Sequence, residues 1–206
     1  MSAKVSPEAL SIFRQIAVRQ FALIPEDQRE QVANILVDAA QAVFPKAMEK
    51  LKVSAETFTS PEKLEEGEWT LVPLDSIHFN LDTWRHNYTS TGEQSHPIEG
   101  LVISDKLYLF AIGFKNPEPS PKVSYIRLKL NIRDYGYIML EDLMYRDDPN
   151  RVKPLDFILE FPPESKITTA KVGVLSTGYD NLQLVGGAFV RVQYVTERSK
   201  ATFYPT

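Results

Sequence analysis

The spacing of apolar positions along this chain changes near residue 67. Before it, apolar residues recur three and four apart: Leu10, Phe13, Ile16, Ala17, Phe21 and Ile24 form one stripe, opposite Arg14, Arg19 and Gln20. Val32, Ile35, Leu36, Ala39, Val43 and Phe44 form a second. That period places each set on one face of an α-helix. Ser6-Pro7-Glu8 has the makeup of a helix start, because Ser can accept from a free backbone N–H and Pro suits the first helical position. Pro25-Glu26-Asp27 opens the second helix with acids where the helix dipole favours them. Pro45 should end or kink that helix, leaving Lys46–Lys52 as a short last one, and Ser60-Pro61-Glu62 predicts another, capped by Gly67.

After Gly67 the alternation has a period of two. Strands are predicted near 68–73, 76–82, 99–104, 107–114, 122–133, 136–140, 155–161, 166–176 and 182–197. The fifth alternates most clearly, with Ile126, Leu128, Leu130 and Ile132 on one face and Tyr125, Arg127, Lys129, Asn131 and Arg133 on the other. Turn signals separate these runs, among them Asp134-Tyr135-Gly136 and Gly178-Tyr179-Asp180-Asn181. Trp84–His96 reads as a long, exposed polar loop with aromatic side chains. Gly186-Gly187 interrupts the last strand and predicts a bulge or a close backbone approach.

Composition agrees with this division. All nine tyrosines, both tryptophans and ten of the fourteen prolines follow Gly67, and strands and turns favour such residues. The expected fold class is α+β: amphipathic helices over about 6–52, then an antiparallel, jelly-roll-like β-sandwich of about nine strands. The expected division is a helical arm or hairpin over 1–67 and the sandwich over 68–206. An immunoglobulin sandwich is disfavoured because the cysteine pair is missing. Two helices cannot bury both apolar stripes against each other, so they pack on the sheet or dock on a neighbouring subunit.

Charge narrows the partners. The net charge is −4, so no global basic field recruits nucleic acid, and none is expected as a partner. The Tyr125–Arg133 face holds the ingredients of a single-strand groove but reads as a solvated sheet face among neighbouring acids. Membrane contact by the helices is disfavoured, because their polar faces carry Glu26, Asp27, Glu30 and Asp38 instead of a Lys/Arg excess. Met1-Ser2-Ala3-Lys4 is not followed by a continuous apolar run, and no stretch approaches the roughly 20 apolar residues that span a bilayer. Cytoplasmic synthesis is expected, with a virion as one destination.

The chemistry is sparse. With no cysteine, thiolate metal sites and thiol catalysis drop out. His78, His86 and His96 lie within twenty residues, yet no His-x-His exists, and zinc sites usually draw a close pair from one element. On a strand over 76–82, His78 and Asp82 would stand about 13 Å apart. No Gly-x-Ser-x-Gly and no phosphate loop occurs. The acids Glu141, Asp142, Asp147, Asp148, Asp156 and Glu160 sit mostly at turns or strand ends, and Asp147-Asp148-Pro149-Asn150 reads as a turn before a calcium site. No catalytic, cofactor or metal residue is therefore assigned.

The function expected is non-enzymatic: a structural protein forming a symmetric oligomer by self-association, most concretely a virus or phage coat or capsid-associated protein. The alternatives are a lectin-like carbohydrate-binding module and a cupin-type metal-dependent enzyme. Candidate interface or ligand contacts are Phe13, Phe21, Trp84, Tyr88, Tyr135, Tyr137, Tyr179, Phe203 and Tyr204, amphipathic aromatics on the helices, loops and tail.

Overall fold

A computed structural model describes residues 4–20, 23–58, 68–76, 83–144 and 148–195. Its two α-helices are α1 (Pro7–Gln20) and α2 (Glu26–Leu51). Ser6 caps α1 as expected, its Oγ accepting from the Ala9 N–H at 3.1 Å. Pro45 does not end α2, which runs on to a left-handed residue at Lys52 (φ 57°). A proline inside a helix costs about 3 kcal/mol. The turns around it bury Val43, Phe44, Ala47, Met48 and Leu51, and each large apolar side chain repays about 1.5–3 kcal/mol. The predicted short helix at 60–67 lies outside the described residues.

Among the described residues nine strands follow: β1 (Trp69–Pro73), β2 (Thr83–Tyr88), β3 (Gly92–Ser95), β4 (Leu107–Lys115), β5 (Val123–Leu130), β6 (Arg133–Met139), β7 (Lys153–Phe161), β8 (Ile167–Val174) and β9 (Gly178–Arg191). Two antiparallel sheets result, sheet A in the order β1-β9-β4-β7 and sheet B in the order β3-β8-β5-β6. The long β9 carries β1 and β2 along one edge, end after end: Trp69 pairs with Arg191, and Thr83 with Gln183. The pairing is nested. β5 pairs with β6, β4 with β7, β3 with β8, and β1 and β2 with β9.

Three predicted features change. Trp84–His96 is not a loop: β2 and β3 run through it, one on each sheet. The expected strand at 99–104 reduces to a single bridge between Val102 and Lys166. Asp134-Tyr135-Gly136 is a bulge within β6, and the chain turns instead at Asn131 (φ 48°). Ile132 therefore falls on the turn and is 96% exposed, whereas Ile126, Leu128 and Leu130 are buried as expected. Residues 77–82 of the strand predicted at 76–82 lie outside the described residues, and with them His78.

Sheet A is buried on both faces. Leu107, Leu109 and Ala111 of β4 point between the sheets, while Tyr108, Phe110 and Ile112 meet α1 and α2. The helices thus pack on their own sheet, as a third layer. A register shift places Ala111 opposite Gly186 but Gly113 opposite Val185. The extra residue, Ile112, returns Phe114 to the interior. The bulge is on β4, and Gly186-Gly187 is the close approach facing it. A Cβ on Gly186 would overlap the Phe110 carbonyl oxygen and stand 2.7 Å from the Ala111 Cα. One on Gly187 would stand 2.6 Å from Phe110 Cζ and 3.1 Å from Phe13 Cζ.

At Gly186 the obstacle is backbone and cannot rotate away. Gly186→Ala should lower the unfolding free energy by about 2–3 kcal/mol, measured by urea titration with an unchanged m-value.

Candidate functional site

The two long sides of the sandwich are closed by different chemistry. On the β6/β7 side the centre is Glu160, 9% exposed. Lys46 Nζ of α2 donates to it at 2.8 Å, Arg133 of β6 at 3.0 Å, and the Tyr108 hydroxyl of β4 also donates. One carboxylate therefore ties the helical layer and both sheets together. Burial works to raise the Glu160 carboxyl, but its three donors and the Lys46 charge outweigh that and hold it below the usual value. The Tyr135 hydroxyl spans the Glu160 backbone, donating to its carbonyl at 3.1 Å and accepting from its N–H at 3.2 Å. Phe157 stacks on the Tyr135 ring at 5.7 Å, and the Arg133 guanidinium lies 4.7 Å from that ring's centre. Cation partners occupy both oxygens of Glu160.

On the β2/β3 side, rings do the closing. Trp84, His86 and Tyr88 alternate along β2, and Trp84 and Tyr88 are buried in the interior cluster. His96 follows β3 and extends its ladder, donating its N–H to the Ala170 carbonyl at 2.7 Å. Its ring centre lies 6.0 Å from Trp84, 6.0 Å from His86 and 6.4 Å from Tyr88. Asp180 of β9 stands opposite His86 in register and accepts from Asn116 Nδ2 at 2.6 Å. Asp180 and His96 are almost wholly buried. Among the described residues, neither Asp180 Oδ2 nor His96 Nε2 has a hydrogen-bond partner.

The Ile98 N–H donates to His96 Nδ1 at 3.3 Å. The neutral ring therefore carries its proton on Nε2. Burial, with His86 beside it, pushes His96 down to about 4. Burial raises the Asp180 carboxyl, against the pull of Asn116 and the Lys122 and Asn181 amides. It also raises the Tyr88 phenol, helped by Asp180.

Two of the three histidines thus come together, which their sequence spacing did not suggest. No three His, Asp or Glu side chains among the described residues converge on a metal position. Asp148 forms the expected turn, its Oδ1 accepting from the Asn150 N–H at 2.8 Å, while Asp147 lies outside the described residues.

The candidate contact residues divide sharply. Phe13 is fully buried under the helices, and Trp84 and Tyr88 are interior residues. Trp84 and Tyr88 do not tip an exposed loop, because strand alternation turns their side chains inward. Tyr135 is half-buried, Tyr137 and Tyr179 are exposed, and Phe21, Phe203 and Tyr204 lie outside the described residues. Near Trp84 the interior leaves a cavity of about 10 Å³, lined by Ile103, Leu109, Phe161, Ile167 and Leu184. It has room for about one water, but its apolar walls would keep it dry.

No other described element covers the outer face of sheet B. Cross-strand rows run Glu93–Gly173–Tyr125–Met139 and Ser95–Lys171–Arg127–Tyr137. Tyr125 packs edge-on to Tyr137 at 5.3 Å, and Arg127 lies over Tyr137 while bonding Asp134 at 2.9 Å. Tyr137 is 56% exposed and Met139 49%. No protein-family model matches this chain, and no curated protein matches it in sequence.

The pH dependence of stability should carry both sides' signatures. A histidine whose value is lowered on folding destabilises the fold as pH falls from 6.5 towards 4, by about 3 kcal/mol for His96. His96→Phe should flatten the urea-measured stability over that window. Asp180, raised on folding, contributes the opposite slope, so Asp180→Asn should steepen it. Glu160, held low, stabilises above the ordinary carboxylate range, and that contribution fades as pH falls through its folded value. Glu160→Gln should therefore cost most at neutral pH and least near pH 2, checked by the same titrations.

Proposed function

We propose that this chain is a non-enzymatic structural protein that assembles with copies of itself through the outer face of sheet B. A single jelly roll is the proposed topology. Taking β1 and β2 as two halves of one strand, the nested pairing is that of a long hairpin folded over twice, which supports this reading. Jelly rolls serve in capsids, so a virus or phage coat is the most concrete version, and that step is analogy at the level of fold.

One observation carries the assembly reading. Helices cover sheet A, whereas sheet B shows Tyr125, Tyr137, Met139 and Arg127 on a face that no other described element covers. Tyr, Met and Arg are the residues that protein interfaces concentrate. The face also carries both signs, with Glu93 and Asp134 beside Arg127, Lys129 and Lys171. Such a patch can pair with a second copy of itself, and it suits a phosphate backbone poorly. A lectin-like role built on the segment around Trp84 loses its platform, because Trp84 and Tyr88 are buried.

Light scattering across a concentration series should show oligomers of defined mass. Tyr137→Glu combined with Met139→Glu should give monomers with unchanged circular dichroism. A wild-type chain that stays a monodisperse monomer at high concentration would end the proposal.

A further inference from the structure

The two sides of the sandwich should respond differently to acid. The β6/β7 side is held by charge-assisted bonds to Glu160, whose carboxyl is stabilised in its ionised form. On the β2/β3 side, the contacts between β2 and His96 are packed rings, two of them imidazoles with centres 6.0 Å apart. A second proton on His96 must go to Nδ1, which removes the acceptor of the Ile98 N–H. It also places a positive charge among Trp84, Tyr88 and His86, in a ring cluster largely shielded from water.

The surrounding charges do not offset that change. Asp180, opposite His86 on β9, is buried and loses its own charge more readily than an ordinary carboxylate as pH falls. Its protonation relieves one buried charge but withdraws the counter-charge next to His86. Protonation of His96 also removes the acceptor of the Ile98 N–H, a loss with no counterpart at Asp180, so the imidazole opens the cluster. Lys122, close to Asp180, adds a further cation. Glu99 is committed to the Ala170 N–H at 3.2 Å, and Arg85 is exposed on the other face of β2.

We propose that the β2/β3 side is an acid-opened seam, along which β2 and β3 release from β9 and β8 while the Glu160 side stays closed. Opening would expose Trp84 and Tyr88 and bare the edges of both sheets. It would do so in a fold whose central strands remain paired. This inference does not depend on self-assembly.

Hydrogen exchange of the full chain, followed by mass spectrometry at pH 7 and about pH 4 and corrected for intrinsic rates, tests it. Peptides covering 83–96 and 178–183 should lose protection by up to roughly a hundredfold, the ceiling set by the His96 displacement, with Asp180 acting in the opposite direction. Peptides covering 107–111 and 126–130 should keep theirs. His96→Phe, which keeps a ring but cannot take a proton, should hold the seam closed at the lower pH. Should that variant not fold, His86→Gln at the half-buried neighbour should reduce the loss. Equal loss on both sides, no loss by pH 4, or loss undiminished in the variant that folds would overturn the proposal.

Discussion

The fold depends on burying sheet A from both sides. β4 and β9 lie between a helical layer and a second sheet, so nearly every side chain along them must be apolar and must fit. The tightest point is where Gly186 and Gly187 meet Phe110 and Ala111. A side chain at Gly186 would push β9 off β4. One at Gly187 would lift Phe13 and Phe110, and with them α1. The bulge at Ile112 belongs to the same constraint, since without it Phe114 would face the helices and leave the interior next to Trp84 unfilled.

The nested pairing leaves two open sides, and each needs something to close it. On one, a buried carboxylate collects donors from α2, β4 and β6, so the cost of burying its charge is offset by three bonds. On the other, aromatic and imidazole rings pack with few polar bonds, and among the described residues an imidazole N–H and a carboxylate oxygen have no hydrogen-bond partner. The first arrangement persists to lower pH than the second, which relies on a neutral His96. The open face of sheet B is a separate matter. Its aromatic, sulfur and guanidinium groups are ordered by cross-strand contacts, and no other described element covers them.

Much of this was legible in the chain. The helical stripes, the Ser6 cap and the alternation through Ile126, Leu128 and Leu130 each follow from a local rule and stand in the structure, whereas the bulge favoured at Gly186-Gly187 falls on β4 and the glycines make the close approach facing it. β2 was missed although its signal was present. Trp84, His86 and Tyr88 alternate with Arg85 and Asn87, but a run of polar residues and turn formers after them masked the pattern. Reading that alternation would have placed His86 on the same inward face as Trp84 and Tyr88. Nothing local could have brought Asp180 beside it, because that pairing depends on a partner strand more than ninety residues away.

The sequence by itself determined most of the helices and strands, and for most of those which face is apolar, because backbone sterics and hydrophobic period act over a few residues. Tertiary structure decided what those faces meet. Pro45 stays inside a helix because the packing around it repays the local cost. The helices serve as a layer instead of an arm because sheet A offers a second apolar face. Glu160 and His96 acquire their character from donors, rings and missing partners drawn from distant strands. A side chain's charge state depends on its surroundings, and long-range pairing creates those surroundings.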